Sequence, residues 1–486
     1  MSRNRRTLVT SLAVAGLLLA AASGLAQIGE TPVIATHVLH SEILDGTIQK
    51  KDVLRLGRAL FEAKFNRLDG QGRPAATGNG VPTLRTADEP AFVRTSAPDA
   101  GSCLACHNEP RSGGGGDFVA NVFVLAQVLD PVTFSVGPGE SNERNSLGMF
   151  GSGLIELLGR EMTADLQAIR SSAVSQAQTG GSPVTLPLDT KGVNFGSITG
   201  NPDGSVDSSA VAGVSADLIL RPFHQKGVVR SVREFTVNAM NHHHGMQAFE
   251  RFGVGQTGTD DFDLDGVVDE LTIGDVTAAT LFQATLPMPG RRIPRDAARR
   301  AAAELGEFVF EQIGCADCHK PALVLEDPVF TEPYGLNPAG TLNDVTQAVA
   351  VDLTKRPCPK PRPRRNPDGS VTVRAFTDLK RHDLCDAAPV NGEQITYFCN
   401  EQVVQGGVAT NLFLTRKLWD VGNSAPYGHR GDLTTITDAI LMHGGEARDE
   451  RDLFVALSQP EKDAIVEFLK TLQVLPEGSG EIVRAD

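Results

Sequence analysis

Residues 296–319 read DAARRAAAELGEFVFEQIGCADCH, and the fold turns on this stretch. The first part is rich in alanine, with Pro294 and Asp296 as start signals, and Leu305, Phe308 or Val309, and Ile313 recur at helical spacing. The helix runs into Cys315-Ala316-Asp317-Cys318-His319, a C-x-x-C-H motif. Each thiol of such a motif can add across one vinyl group of a haem, and the adjacent His then lies beneath the iron as its proximal ligand. Cys103-Leu104-Ala105-Cys106-His107 is a second copy. A redox C-x-x-C pair or half a zinc site would not need a His directly after the second Cys. The two motifs therefore predict two covalently bound haems c, one on Cys103, Cys106 and His107 and one on Cys315, Cys318 and His319.

The surroundings suit this reading. Before the first motif, Lys51 to Phe65 has Val53, Leu56, Leu60 and Ala63 on one helical face, followed by a long insertion containing Gly and Pro. Near the C-terminus, Ser458-Gln-Pro-Glu461 is a capping box with Pro in the first turn, and Ile465, Phe468, Leu469 and Leu472 form an apolar stripe. A small cytochrome c opens with one such helix and closes with another packed across it. The expected fold is mainly α, with two cytochrome c-like haem domains carrying long loop insertions. The expected boundaries are 27–290 and 291–486, after a leader of residues 1–26. Ser171 to Val214, rich in Gly, Ser and Thr, reads as loop or short strands.

Arg3, Arg5 and Arg6 precede an apolar run from Leu8 to about Leu25, and Gly24-Leu25-Ala26 offers small residues for cleavage. This is a signal-peptide pattern and implies a periplasmic or otherwise exported protein with no stable membrane span after cleavage. Losing three arginines and no acid takes the formal charge from −14 to −17. That acidity argues against nucleic acid as a partner. Three cysteines lie outside the haem motifs; Cys385 and Cys399 are the closest in sequence and are the expected disulfide, leaving Cys358 odd.

The sixth position of each iron decides between electron transfer and chemistry. His429, set between Gly428 and Gly431 on the C-terminal side of the second motif, is the expected distal ligand of the second haem; His443 is a weaker candidate at a helix end. For the first haem the cluster His242-His243-His244 is dense but assigns no ligand. His244, Gln247 and Glu250 are the acid/base candidates there. Arg221, Lys226, Arg230 and Arg233 could pair with propionates or form a solvated face. Asp261, Asp263, Asp265, Asp269 and Glu270 have the D-x-D-x-D-G arrangement of a calcium loop, although Thr272 stands where a standard EF-hand has Glu.

These residues resemble a known family. Leu418-Trp419-Asp420-Val421-Gly422, Pro426-Tyr427-Gly428-His429-Arg430-Gly431 and His443-Gly444-Gly445-Glu446-Ala447 are similar to the motif of di-haem oxidoreductases, described as peroxidases or thiol oxidoreductases and related to bacterial di-haem cytochrome c peroxidases. Thr377-Asp378-Leu379, His382-Asp383 and Phe150-Gly151 through Glu156 extend the likeness, which runs from about Leu56 to Leu475. Asp420 and Arg430 depart from the family's Gly and Asp, and the stretch around His242 differs from the usual form. The resemblance implies a peroxidase-like enzyme in which the second haem passes electrons from a small redox protein to peroxide at the first. The alternatives are a non-catalytic di-haem electron carrier and a di-haem oxidase of a thiol or organic substrate.

Overall fold

The computed structural model describes residues 29–71, 100–117, 119–123, 141–399, 401 and 404–485. The leader at 1–26, and most of the insertion before Cys103, lie outside these residues. Within them, no helix is long and apolar enough to cross a membrane.

Two helix pairs organise the chain. Lys50–Glu62 packs across Ile273–Ala284, and Ala297–Gln312 packs across Gln459–Lys470. Both crossings are made close by a glycine. A Cβ on Gly57 would collide with the Ala278 carbonyl, and one on Gly306 with the Ala464 carbonyl. Gly306→Ala is therefore expected to lower stability by about 1–3 kcal/mol through overpacking, more than the up to ~1 kcal/mol gained in helix propensity. A urea midpoint that rises would contradict the close-crossing argument. The last helix follows its pattern, with the Ser458–Glu461 capping box formed and Ile465, Phe468 and Leu469 buried. The helix 297–312 meets expectation at Val309 and Ile313, both buried, but not at Leu305. It buries Ala303, Gly306, Val309 and Phe310, while Leu305 and Phe308 are exposed. Small residues, not the largest apolar ones, face the crossing because the partner backbone comes so near.

The expectation of a mainly α fold is overturned: 36% of the chain is helical and 16% is strand, spread over many small sheets. Gly290–Pro294 pairs antiparallel with Leu472–Gln473 and parallel with Ile482–Ala485. Val184–Thr190, Val193–Gly200 and Val206–Asp207 form an antiparallel meander. Val329–Glu332 pairs with Val349–Asp352, and Leu323–Leu325 with Val371–Val373. Most of the strands after residue 320 span only three or four residues, so their alternation is too brief to stand out from loop. The opposite error occurs at Ser171, where a helix spanning Ser152–Gly180 continues through a polar Ser/Gln stretch before the meander begins.

The cores do not divide at residue 290. The larger one combines Val53, Leu60, Leu158, Met162 and Val276 with Leu325, Phe330, Val351, Val371 and Trp419. The smaller gathers Val309, Phe310, Phe376, Phe454, Ile465 and Phe468. Trp419 and its neighbour Leu418 thus insert into different cores. Cys385 and Cys399 are disulfide-bonded as expected, and Cys358 is a buried thiol.

Beneath the first helix pair lies a charge network. Arg233, fully buried, donates to Glu250 at 2.9 Å, Glu332 at 3.0 Å, Thr277 at 2.9 Å and the Ile273 carbonyl at 3.3 Å. Burial pushes the Glu332 carboxyl up to about 7 even with this guanidinium beside it.

Candidate functional site

Each C-x-x-C-H motif opens into a cavity. The sequence Arg111-Ser-Gly-Gly-Gly-Gly116 follows the first motif in a turn so close that a Cβ on Gly114 would strike the Glu109 carbonyl. The turn presents the Gly114 carbonyl to His107, whose Nδ1 lies 3.2 Å away. His319 is anchored in the same way, Nδ1 to the Phe376 carbonyl at 3.2 Å. A ring held through Nδ1–H keeps its Nε2 lone pair for a metal. Burial holds both imidazoles neutral, down at about 4, the His319 ring aided by nearby His443. None of Cys103, Cys106, Cys315 and Cys318 is in a disulfide. Burial drives the Cys103 and Cys315 thiols up to about 12, so they are not thiolates poised for exchange.

The first cavity is lined by Phe61, Met149, Phe235, Met240, His243 and His244 around the motif. The second is the larger of the two and is lined by Phe310, Leu379, Phe398, Phe413, Ile436 and Leu469 around its motif. A largely apolar cavity with two thiols and a metal-ready imidazole at its edge fits covalent haem, although Cys318 also brings its Sγ within 4.8 Å of ligand atoms of Asp378 and His382.

The second cavity receives two further histidines. His429 is buried among Tyr397, Phe398 and Phe413, ring centroids 4.8, 5.3 and 5.0 Å away, and its Nε2 stands 4.0 Å from Glu401. His443 instead stands directly against His319, with centroids 6.5 Å apart, and its Nδ1 is held by the Ala439 carbonyl at 2.8 Å. Two imidazoles sharing a metal at bonds of about 2 Å would place their centroids roughly 6 Å apart. The weaker sequence candidate thus has the better geometry. His382 is a third surprise at this cavity. Its Nε2 meets Asp378 at 2.8 Å and its Nδ1 Glu446 at 2.7 Å. Burial opposes its charge, but Asp378 and Cys318 raise it to about 11. Buried His382 and Asp378 thus form an ionic pair beside Cys318, capped from the solvent side by exposed Glu446.

The two cavities share a wall. Asn145, Ser146, Leu147, Pro222, His224, Gln225 and Lys417 line both. His224 adopts a positive φ of 62° and packs on Phe235 with centroids 5.2 Å apart. Burial takes its imidazole down to about 3 and the Lys417 ammonium down to about 8. Neither residue stands out in the sequence: a lone His after Pro222-Phe223, and a Lys inside an apolar turn.

Other candidates are placed elsewhere. Of His244, Gln247 and Glu250, only His244 lines the first cavity. Its Nδ1 meets the Ala100 carbonyl at 2.7 Å and its Nε2 lies 3.3 Å from Cys103 Sγ. Glu250 belongs to the Arg233 network, and the Gln247 amide donates to Glu270 at 2.7 Å. Arg221, Lys226, Arg230 and Arg233 pair with Asp217, Glu401, Glu234 and the Glu250–Glu332 couple. Asp420 is buried near Arg416, and Arg430 pairs with Asp432.

No protein-family model matches the chain, and no curated protein matches it. Among solved structures it is similar to hydrazine synthase of Kuenenia stuttgartiensis, at 14% identity over 92% of this chain and 98% of that one, with a TM-score of 0.35. It is also similar to a MauG-like protein associated with microbial copper homeostasis, at 15% identity over 93% of this chain and 95% of that one, with a TM-score of 0.30. Likenesses this distant carry no argument, and the functional reading rests on the cavities.

Proposed function

We propose that this protein is a di-haem c-type oxidoreductase of peroxidase type, in which electrons enter at the cavity of Cys315 and reach a small-molecule oxidant such as peroxide at the cavity of Cys103. The observation that carries the reading is the wall shared by the two cavities, built from Asn145 to Leu147, Pro222, His224, Gln225 and Lys417. Cys103, Cys106 and His107 would hold one haem, and Cys315, Cys318 and His319 the other, with His443 as the second ligand on the latter. When bound, the haems would supply one-electron transfer and reduction of the oxidant. The chain supplies the setting. Phe398, Phe413 and Ile436 give the second cavity an apolar wall, which suits an electron relay. The first cavity admits polar groups, Ser152, Thr236, Gln283 and His244, that can position a polar oxidant. Lys417 places a cation within the shared wall, where carboxylates of either haem would find it.

The reading includes export to the periplasm, where the Cys385–Cys399 disulfide is stable, and a small redox protein as electron donor. The test is spectroscopic. Purified protein should contain two haems c per chain by the pyridine haemochrome assay. In the half-reduced protein one high-spin haem should appear and respond to peroxide. Two low-spin haems indifferent to peroxide would point instead to an electron carrier.

A further inference from the structure

The loop from Asp261 to Glu270 stands apart from both cavities. Its backbone is folded by its own acids: Asp261 accepts from the amides of Asp265 at 3.2 Å and Gly266 at 3.0 Å, and Asp265 accepts from Val267 at 2.7 Å. Those bonds turn the remaining oxygens inward. One ligand atom from each of Asp261, Asp263 and Asp265 lies within 4.8 Å of the others. Asp263 is the decisive residue. It is 0% exposed, yet among the described residues no donor stands in hydrogen-bonding geometry to either carboxylate oxygen, and the buried Oδ2 of Asp265 is in the same position. Glu270, also buried, closes the loop from below, pressed so near Gly70 that a Cβ there would collide with it. A buried carboxylate without a partner is costly, and native proteins resolve such sites with an opposing charge, often a metal.

We propose that this loop is a calcium site, with Asp261, Asp263 and Asp265 as ligands and Glu270 completing the anionic cage. An all-oxygen, carboxylate-rich set selects a hard divalent ion over zinc or copper. A flexible loop of alternating carboxylates suits the larger, less directional calcium better than octahedral magnesium. The site also has a structural outlet. Glu270 accepts from the Gln247 backbone amide at 2.7 Å, and Gln247 lies three residues beyond His244 at the wall of the first cavity. The inference does not depend on the proposed oxidoreductase activity, and its readouts are independent of it.

The test uses the full haem-loaded protein, stripped with EGTA and titrated with calcium chloride or magnesium chloride. Before stripping, elemental analysis should find one calcium per chain. Calcium a hundredfold above its Kd should raise Tm by on the order of 3 °C for a chain of this size, and magnesium at the same concentration should do less. Asp263→Asn should abolish the calcium response and melt above the stripped wild type, because the amide removes an uncompensated buried charge. Asp261→Asn, at a half-buried position, guards against misfolding of the first variant and should weaken calcium binding at least tenfold. The assignment is overturned if wild type carries no calcium and ignores EGTA, if magnesium matches calcium, or if either variant binds calcium as wild type does.

Discussion

His443→Ala is expected to convert the second haem from low to high spin, whereas His429→Ala should leave its spin state unchanged. The argument is geometric. His443 faces His319 at a centroid separation of 6.5 Å, with its Nδ1 tied to the Ala439 carbonyl and its Nε2 left for the iron. His429 is boxed by three aromatic rings and lies near Glu401. Under the proposed reading both variants should retain two haems per chain, because attachment would run through Cys315 and Cys318 and not through the distal side. Room-temperature absorption and electron paramagnetic resonance of the oxidised proteins would decide the matter. A high-spin His429→Ala protein beside an unchanged His443→Ala protein would return the ligand to His429, the residue its glycine-flanked loop suggests. A potential measurement adds a second axis. Loss of a neutral imidazole donor favours the reduced iron, so the second haem of His443→Ala should titrate at a higher potential than that of wild type.

Arg233→Met should destabilise the protein by about 3–5 kcal/mol, because it leaves two buried carboxylates without their cation. Glu250 and Glu332 are both buried, and Arg233 is the guanidinium that bridges them. The sign of the pH dependence follows. Glu332 already sits near 7, so its protonated form is favoured in the folded state relative to the unfolded chain. Stability from that preference is fully present below its ordinary value of 4.5 and is lost as pH rises toward 7. Without Arg233 the preference can only grow. The urea midpoint of Arg233→Met should therefore fall furthest at pH 8 and recover partly at pH 5. Adding Glu332→Gln to the variant should recover part of the loss at pH 8 as well. A variant equally stable at both pH values, and close to wild type, would show that water reaches the network.

Which features could be read from the sequence follows from how local their causes are. The haem motifs are defined by covalent chemistry over five residues and need no tertiary context. The last helix was legible because its cap, its Pro and its stripe agree. The disulfide was legible from proximity, and the acidic loop from its alternating spacing. The helix 297–312 was legible at Val309 and Ile313, but the burial of Ala303 and Gly306 in place of Leu305 is decided by a partner backbone over 150 residues away. His443 ranked below His429 because a His at a helix end has an ordinary electrostatic explanation, and only the folded chain shows what stands opposite. His224 and Lys417 carry no local signal at all. The helix content was overestimated because two cytochrome-type landmarks were extended over connecting chain that forms short strands instead.

One consequence of the larger core concerns the order in which the molecule can be finished. Its helices come from the first 290 residues, but Leu325, Phe330, Val351, Val371 and Trp419 complete it from well beyond them. As the chain is made, the surroundings of Cys103 cannot pack shut until residue 419 has emerged. Under the proposed haem reading, the early motif would wait for residue 419 to be covered, and the late motif for its closing helix at Gln459–Lys470. A chain cut at residue 290 would lose that late cover and present its haem site on an unsealed, aggregation-prone surface.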